Sequence, residues 1–192
     1  MNKKTQIAII AIALLLAGGG VGYLFGKIGR APFSAGETVF TAYLTGYSYW
    51  DNTPPDSTAI AFPKSKGYPT AHDEAGGSGS NDDPITLAVG HAEIDGADRP
   101  DFEPGTLFYI PDFKKYAIAE DACGDSASQG SGCHAGYYTR VWLDLWIGGS
   151  SASVSSGQAC EDKITGLHQV IANPKRGYPV KKGALLVSAP CK

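Results

Sequence analysis

The carboxyl-terminal five-sixths of this chain alternates between short runs rich in β-branched and aromatic residues and clusters of turn formers, and that alternation limits it to small β architectures. Strands are predicted over Thr38–Thr45, Ile85–Gly90, Leu107–Pro111, Tyr116–Asp121, Arg140–Trp146, Leu167–Ala172 and Ala184–Ser188. Pro54-Pro55, Gly76-Gly77-Ser78-Gly79, Pro104-Gly105, Pro174 and Pro190 punctuate them. One short helix is predicted over Gly157–Ile164, with Ser156 as its cap. Many short strands with little helix predict an all-β (mainly β) fold, a compact barrel or sandwich.

Two long Gly/Ser/Asp-rich stretches, Asn52–Asp83 and Cys123–Tyr138, interrupt the pattern. Loops of that length in a small domain are usually functional or disordered, and their aromatics and prolines argue for order, as walls of a groove. Asp144 stands out among the strands, inside the apolar run Arg140-Val141-Trp142-Leu143-Asp144-Leu145-Trp146-Ile147. Burial there would raise its pKa, because desolvation disfavours the charged form. A carboxylic acid still protonated near neutral pH is what general-acid chemistry requires. The alternative is an aspartate on the polar face of a half-buried strand, or one capping the turn at Gly148-Gly149.

At the amino terminus, Lys3 and Lys4 precede an uncharged apolar run from Ile7 to Phe25, closed by Lys27 and Arg30. Its length approaches the roughly 20 residues that span a bilayer. Residues 1–30 are therefore expected to be a signal peptide or an uncleaved anchor, with the amino terminus cytoplasmic. Residues 31–192 would then form one extracytoplasmic domain, anchored or secreted. All 19 acidic residues fall in that domain, against 12 of the 16 basic ones, a formal charge of −7. Nucleic acid and anionic lipid, which need basic patches, are poor partners for it. The four cysteines suggest two disulfides outside the cytoplasm. Of three pairings, the local Cys123–Cys133 with Cys160–Cys191 is favoured, since it would pin a Gly/Ser loop and tie back the carboxyl terminus. Zinc is the competing reading, but neither Cys-x-x-Cys nor paired His spacing supports it, and no metal or cofactor is expected.

Three acidic positions matter most: Asp51 after Tyr47-Ser48-Tyr49-Trp50, Asp121 at the end of a strand, and Asp144. The stretches Pro104-Gly105-Thr106-Leu107-Phe108-Tyr109-Ile110-Pro111, Tyr116-Ala117-Ile118-Ala119-Glu120-Asp121 and Val141-Trp142-Leu143-Asp144-Leu145, with Thr41-Ala42-Tyr43 as first strand, resemble the three-aspartate domain. That domain is the double-psi β-barrel of membrane-bound lytic transglycosylases of the A type. The resemblance implies a six-stranded double-psi barrel in which Asp121 and Asp144 match the catalytic aspartates, Asp144 being the acid/base. The family's glycine-rich link between them is replaced here by the longer cysteine loop.

Tyr49-Trp50-Asp51 followed by Val141-Trp142-Leu143-Asp144-Leu145 is also similar to family 45 endoglucanases, where the early aspartate is base and the late one acid, though their dense cysteines are missing here. Trp50–Ala61, with Gly76-Gly77-Ser78-Gly79 and Asp83-Pro84-Ile85-Thr86, looks like small secreted fungal muramidase-like proteins.

The function these resemblances imply is cleavage of a β-1,4-linked glycan, peptidoglycan first, by a monomer. Two alternatives stay open: a non-catalytic expansin-like wall-binding module, and a family 45-like β-1,4-glucanase. For hydrolysis, Asp144 would protonate the leaving oxygen and Asp51 would activate water. For a lytic transglycosylase, Asp144 would act alone with Asp121 beside it. Each acid also has a plainer reading, Asp121 and Asp51 as turn formers.

Tyr43, Tyr49, Trp50 and Asp83 are the candidate sugar contacts. Tyr47, Trp142 and Trp146 are more often core residues, and only Tyr49 or Trp50 is expected in a groove. Asp83 alternatively turns the chain with Pro84. His72, His91, His134 and His168 show no ligand spacing and read as surface or satisfied core residues. Lys181-Lys182 reads as a solvated turn.

Overall fold

The structure, a computed structural model, describes residues 36–123, 132–188, 190 and 191. The predicted membrane segment and residues 124–131 of the cysteine loop lie outside these. No helix among the described residues is long and apolar enough to cross a membrane.

Among the described residues eight strands form: β1 (Thr38–Tyr47), β2 (Ile85–Val89), β3 (His91–Ile94), β4 (Ala97–Pro100), β5 (Leu107–Ile110), β6 (Lys115–Ala122), β7 (Trp142–Trp146) and β8 (Gly166–Ala172). Six of them close into a barrel in the order β1-β7-β2-β6-β5-β8, so the predicted six-stranded barrel is present. The pairs β1·β7 and β2·β6 run parallel, and the remaining neighbours are antiparallel. Among the described residues two α-helices accompany them, α1 (Gly132–Ala135) and α2 (Val154–Ile164), with a 3-10 turn at Lys64–Lys66.

Alternation along the strands sorts side chains into two sets. Ala42, Leu44, Ile85, Leu87, Val89, Phe108, Ala117, Ala119, Leu143, Leu145, Val170 and Ala172 face inward and make the core. Removing that much apolar surface from water is the main force closing the barrel. Lys115 shares the inward phase at one end of β6, where its ammonium is fully buried. It donates to the carbonyls of Ser78, Lys181 and Gly183, which satisfies a charge that burial would otherwise penalise.

Both favoured disulfides form, Cys123–Cys133 and Cys160–Cys191. The predicted helix exists but starts earlier. Ser153, not Ser156, is its cap, accepting from the Ser156 backbone N–H at 3.2 Å. Gly157 lies inside the helix, where it lets α2 approach β1 closely: a Cβ there would meet Ser48 Oγ at 3.2 Å.

Ala184–Ser188 is not a strand. Among the described residues its ladder contact is a single bridge from Leu186 to Gly148, and Leu185 and Leu186 are buried side chains plugging the core. A closed barrel has no free edge to accept a seventh strand. Arg140, Val141 and Gly90 also fall just outside the strands predicted to hold them. The hairpin β3–β4 was not predicted. Its turn is Asp95-Gly96, both at positive φ (55° and 74°), a two-residue turn whose Asp-Gly signal sits among charged residues.

Candidate functional site

Strand register places the acids. Thr45 pairs with Asp144 across β1·β7, Asp144 with Ala88 across β7·β2, and Ala88 with Asp121 across β2·β6. The four residues form one row on the outer side of the barrel, in the phase opposite to Leu44, Leu87 and Leu143. At a strand spacing of about 4.8 Å, two such spacings, with β2 between, separate the backbones of Asp144 and Asp121 by about 10 Å.

Asp144 is half-buried. Thr45 Oγ1 donates to its Oδ1 at 2.8 Å, and Thr45 in turn accepts from the Trp142 indole N–H at 2.9 Å. The Cys123 sulfur lies 3.9 Å from Oδ2. Oxidised in its bridge to Cys133, that sulfur has no proton to give. Burial pushes the Asp144 carboxyl up to about 7, the Thr45 hydrogen bond opposes the rise, and the charges of Asp51, Glu161 and Asp121 add to it. A carboxyl that titrates there holds a proton at neutral pH and can release it.

Asp121 is more deeply placed, at 7 % exposure. Its Oδ2 accepts from the Tyr47 hydroxyl at 2.7 Å, and Oδ1 accepts from the backbone N–H groups of Ala61 and Ala122, each at 2.9 Å. Burial raises its pKa against these bonds. At that depth Asp121 fixes the loop at Ala61 and the end of β1, and little of its carboxylate meets solvent.

Asp51 is exposed on the turn after β1. Its Oδ1 accepts from the Ser48 N–H at 2.6 Å and from Ser48 Oγ at 2.9 Å. Its charge reaches both Asp144 and Glu161. Glu161, on α2, is a member of this cluster that the sequence reading missed. Burial raises its carboxyl above the usual range, Ser48 holds it down by hydrogen bonding, and Asp51 raises it further. The signal available in the sequence was faint: an acid one helical turn after Gly157, facing a β1 turn that only the fold brings near.

Asp83 does not join this cluster. Its Oδ2 accepts from the Ser78 N–H at 2.8 Å and its Oδ1 pairs with His72 Nε2 at 3.0 Å. His72 Nδ1 meets Glu120 Oε1 at 2.7 Å, and Glu120 also receives Thr86 Oγ1 and the N–H groups of Ala71 and His72. Hydrogen bonding to Glu120 lifts His72 to about 8. This network clamps the Asn52–Asp83 loop onto the barrel. The other histidines likewise pair with carboxylates, His91 with Asp98, His134 with Asp101 and His168 with Asp112.

Of the candidate sugar contacts, Tyr43, Tyr49 and Trp50 are half-buried, while Tyr47 and Trp146 are core, at 7 % and 5 % exposure. The more exposed aromatics among the described residues are Tyr68, Tyr137 and Tyr138, at 39 %, 38 % and 85 %. Among the described residues, no group of three or more His, Cys, Asp or Glu is arranged to hold a metal ion.

A family model described as "DDB_G0273701 N-terminal domain" matches residues 39–192. The chain is 34 % identical over 149 residues to "Uncharacterized protein DDB_G0273701/DDB_G0273221" of Dictyostelium discoideum, which covers 77 % of this chain and 56 % of that protein. The chain thus spans about half the length of the curated relative it matches. No solved structure matches. The match over nearly the whole described domain places this chain in the DDB_G0273701 N-terminal domain family.

Proposed function

We propose that this chain cleaves a β-1,4-linked glycan outside the cytoplasm, with peptidoglycan the first candidate and Asp144 as general acid. One observation carries the reading: Asp144 sits half-buried on β7 with its carboxyl held near pH 7, oriented by Thr45 and set among three other acids. Such a group can protonate a glycosidic oxygen at neutral pH while a second carboxylate stays ionised. Asp51 is the exposed carboxylate of the cluster and takes the base role if water attacks. Asp121 is less suited to it, being 7 % exposed and tied to Tyr47, Ala61 and Ala122. If the sugar's own hydroxyl attacks instead, Asp144 recovers the proton as base and needs no partner. Two disulfides are consistent with an oxidising compartment.

The test is mass spectrometry of the products from purified peptidoglycan, with the Asp144→Asn chain as control. Anhydro ends absent from the control mean intramolecular attack; reducing ends mean water and assign Asp51. Equal product from both proteins removes Asp144 from the mechanism, and binding without any product leaves a wall-binding module.

A further inference from the structure

Tyr137-Tyr138-Thr139-Arg140 is a tight turn, with Tyr137 and Arg140 exchanging both backbone hydrogen bonds at 3.0 Å. All four side chains are exposed. Tyr138 holds φ at 55°, the left-handed region that bulky side chains avoid and Asn or Gly accept. The residue is 85 % exposed, so an edge contact with Tyr137 is the ring packing set against that strain among the described residues. Backbone strain at so exposed a residue concentrates at functional positions.

The turn is tied to the acid row. Tyr137 stacks on Tyr43 at 3.8 Å between centroids, 14° from parallel, and Tyr138 stands edge-on to Tyr137 at 4.7 Å. Tyr43 meets the Trp142 ring edge-on at 5.5 Å, Trp142 donates to Thr45, and Thr45 donates to Asp144. Tyr43 and Trp142 precede Thr45 and Asp144 by two residues on their strands, which is about 7 Å along the barrel. The same outer face therefore carries the acid and, one step along, a stack of rings ending in an open one. Flat aromatic faces of this kind bury the apolar C–H face of a sugar ring while leaving its hydroxyls in water.

We propose that Tyr138, presented by the Tyr137–Arg140 turn, is a distal sugar-binding subsite for a glycan chain whose scissile bond lies at Asp144. The subsite rests on the glycan reading above but makes its own demand, that the chain extends past Tyr43 towards Tyr138. Tyr138 touches substrate remote from the reacting bond, so it sets affinity for long chains and not the rate of the chemical step.

The experiment uses the full chain in two backgrounds. In Asp144→Asn, sedimentation with insoluble peptidoglycan measures binding; with Asp144 intact, release of soluble fragments measures cleavage. Tyr138→Asn removes the ring and relieves the strained φ, and Tyr138→Phe keeps the stacking face. Tyr138→Asn is expected to weaken binding about tenfold and to raise KM similarly at unchanged kcat. Tyr138→Phe should bind as the parent does, and the Tyr138→Asn melting point should hold or rise. Parent-like binding and KM in Tyr138→Asn overturn the subsite while leaving cleavage by Asp144 standing. Ring-dependent binding without fragment release keeps the subsite and defeats the cleavage reading. Failure of the parent to sediment with the glycan overturns the subsite.

Discussion

The Asp144 site makes a thermodynamic demand that needs no substrate. A carboxyl whose pKa is about 7 in the fold and 3.8 when unfolded binds more protons folded than unfolded between those values. Stability from this group is therefore complete below pH 3.8 and is lost as pH rises through 7. The gap is about three pH units, and at 1.36 kcal/mol per unit the ceiling is about 4 kcal/mol. Because Asp144 is half-buried, water screens part of this, and about 2 kcal/mol is the working figure.

Asp144→Asn keeps the shape and removes the titration. Its stability relative to the parent should be nearly unchanged at pH 4 and improve by about 2 kcal/mol at pH 8. For a domain of this size that is about 4–8 °C in melting temperature. Thermal unfolding followed by circular dichroism on both proteins across that range reads the difference directly, and groups shared by the two cancel. Curves that stay parallel from pH 4 to 8 would show that the fold does not disfavour the ionised carboxylate, and the argument for a general acid would fail with them.

Two further outcomes follow from the neighbours of Asp144. Thr45→Val removes the hydrogen bond that favours the ionised form, worth about 1.5–3 kcal/mol, so the alkaline limb of the pH profile for glycan cleavage should move up by about one to two units. Glu161→Gln removes a charge that adds to the larger effect of burial, so the same limb should move down, by less than the Thr45 change; a limb unmoved in both variants assigns the titration to another group.

The strands were legible because their composition and the turn residues between them are local signals. These left barrel or sandwich open; the six-stranded barrel followed from the resemblance to the three-aspartate domain, and the disulfides from the placement of four cysteines. Asp144 was legible as a local signal too, an acid in an apolar run. Its partners were not. Thr45 lies 99 residues away and meets Asp144 only through the register of two parallel strands. Glu161 was visible as a helical acid, but its facing Ser48 depends on how closely Gly157 lets the helix approach. Asp83 looked like a groove residue because its partners, His72 and Ser78, are assembled by the loop's own path. Tyr138 sat in a stretch read chiefly as a loop wall, where the exposure of one ring has no sequence signature.

The shift in pairing between Leu87 and Ala88 gives β6 one residue more than its partner, since Leu87 pairs with Ala119 but Ala88 with Asp121. The unpaired residue is Glu120, the anchor of the Asn52–Asp83 loop. In an unbroken strand, neighbouring acids point to opposite faces, and a barrel could keep only one of them out of its core. The extra residue lets both stay out of the core: Glu120 binds the loop at His72 while Asp121 keeps its place in the acid row. Both acids then hold the loop, Glu120 at Ala71 and His72 and Asp121 at Ala61, while the register from Asp121 through Ala88 to Asp144 stays as the strands set it.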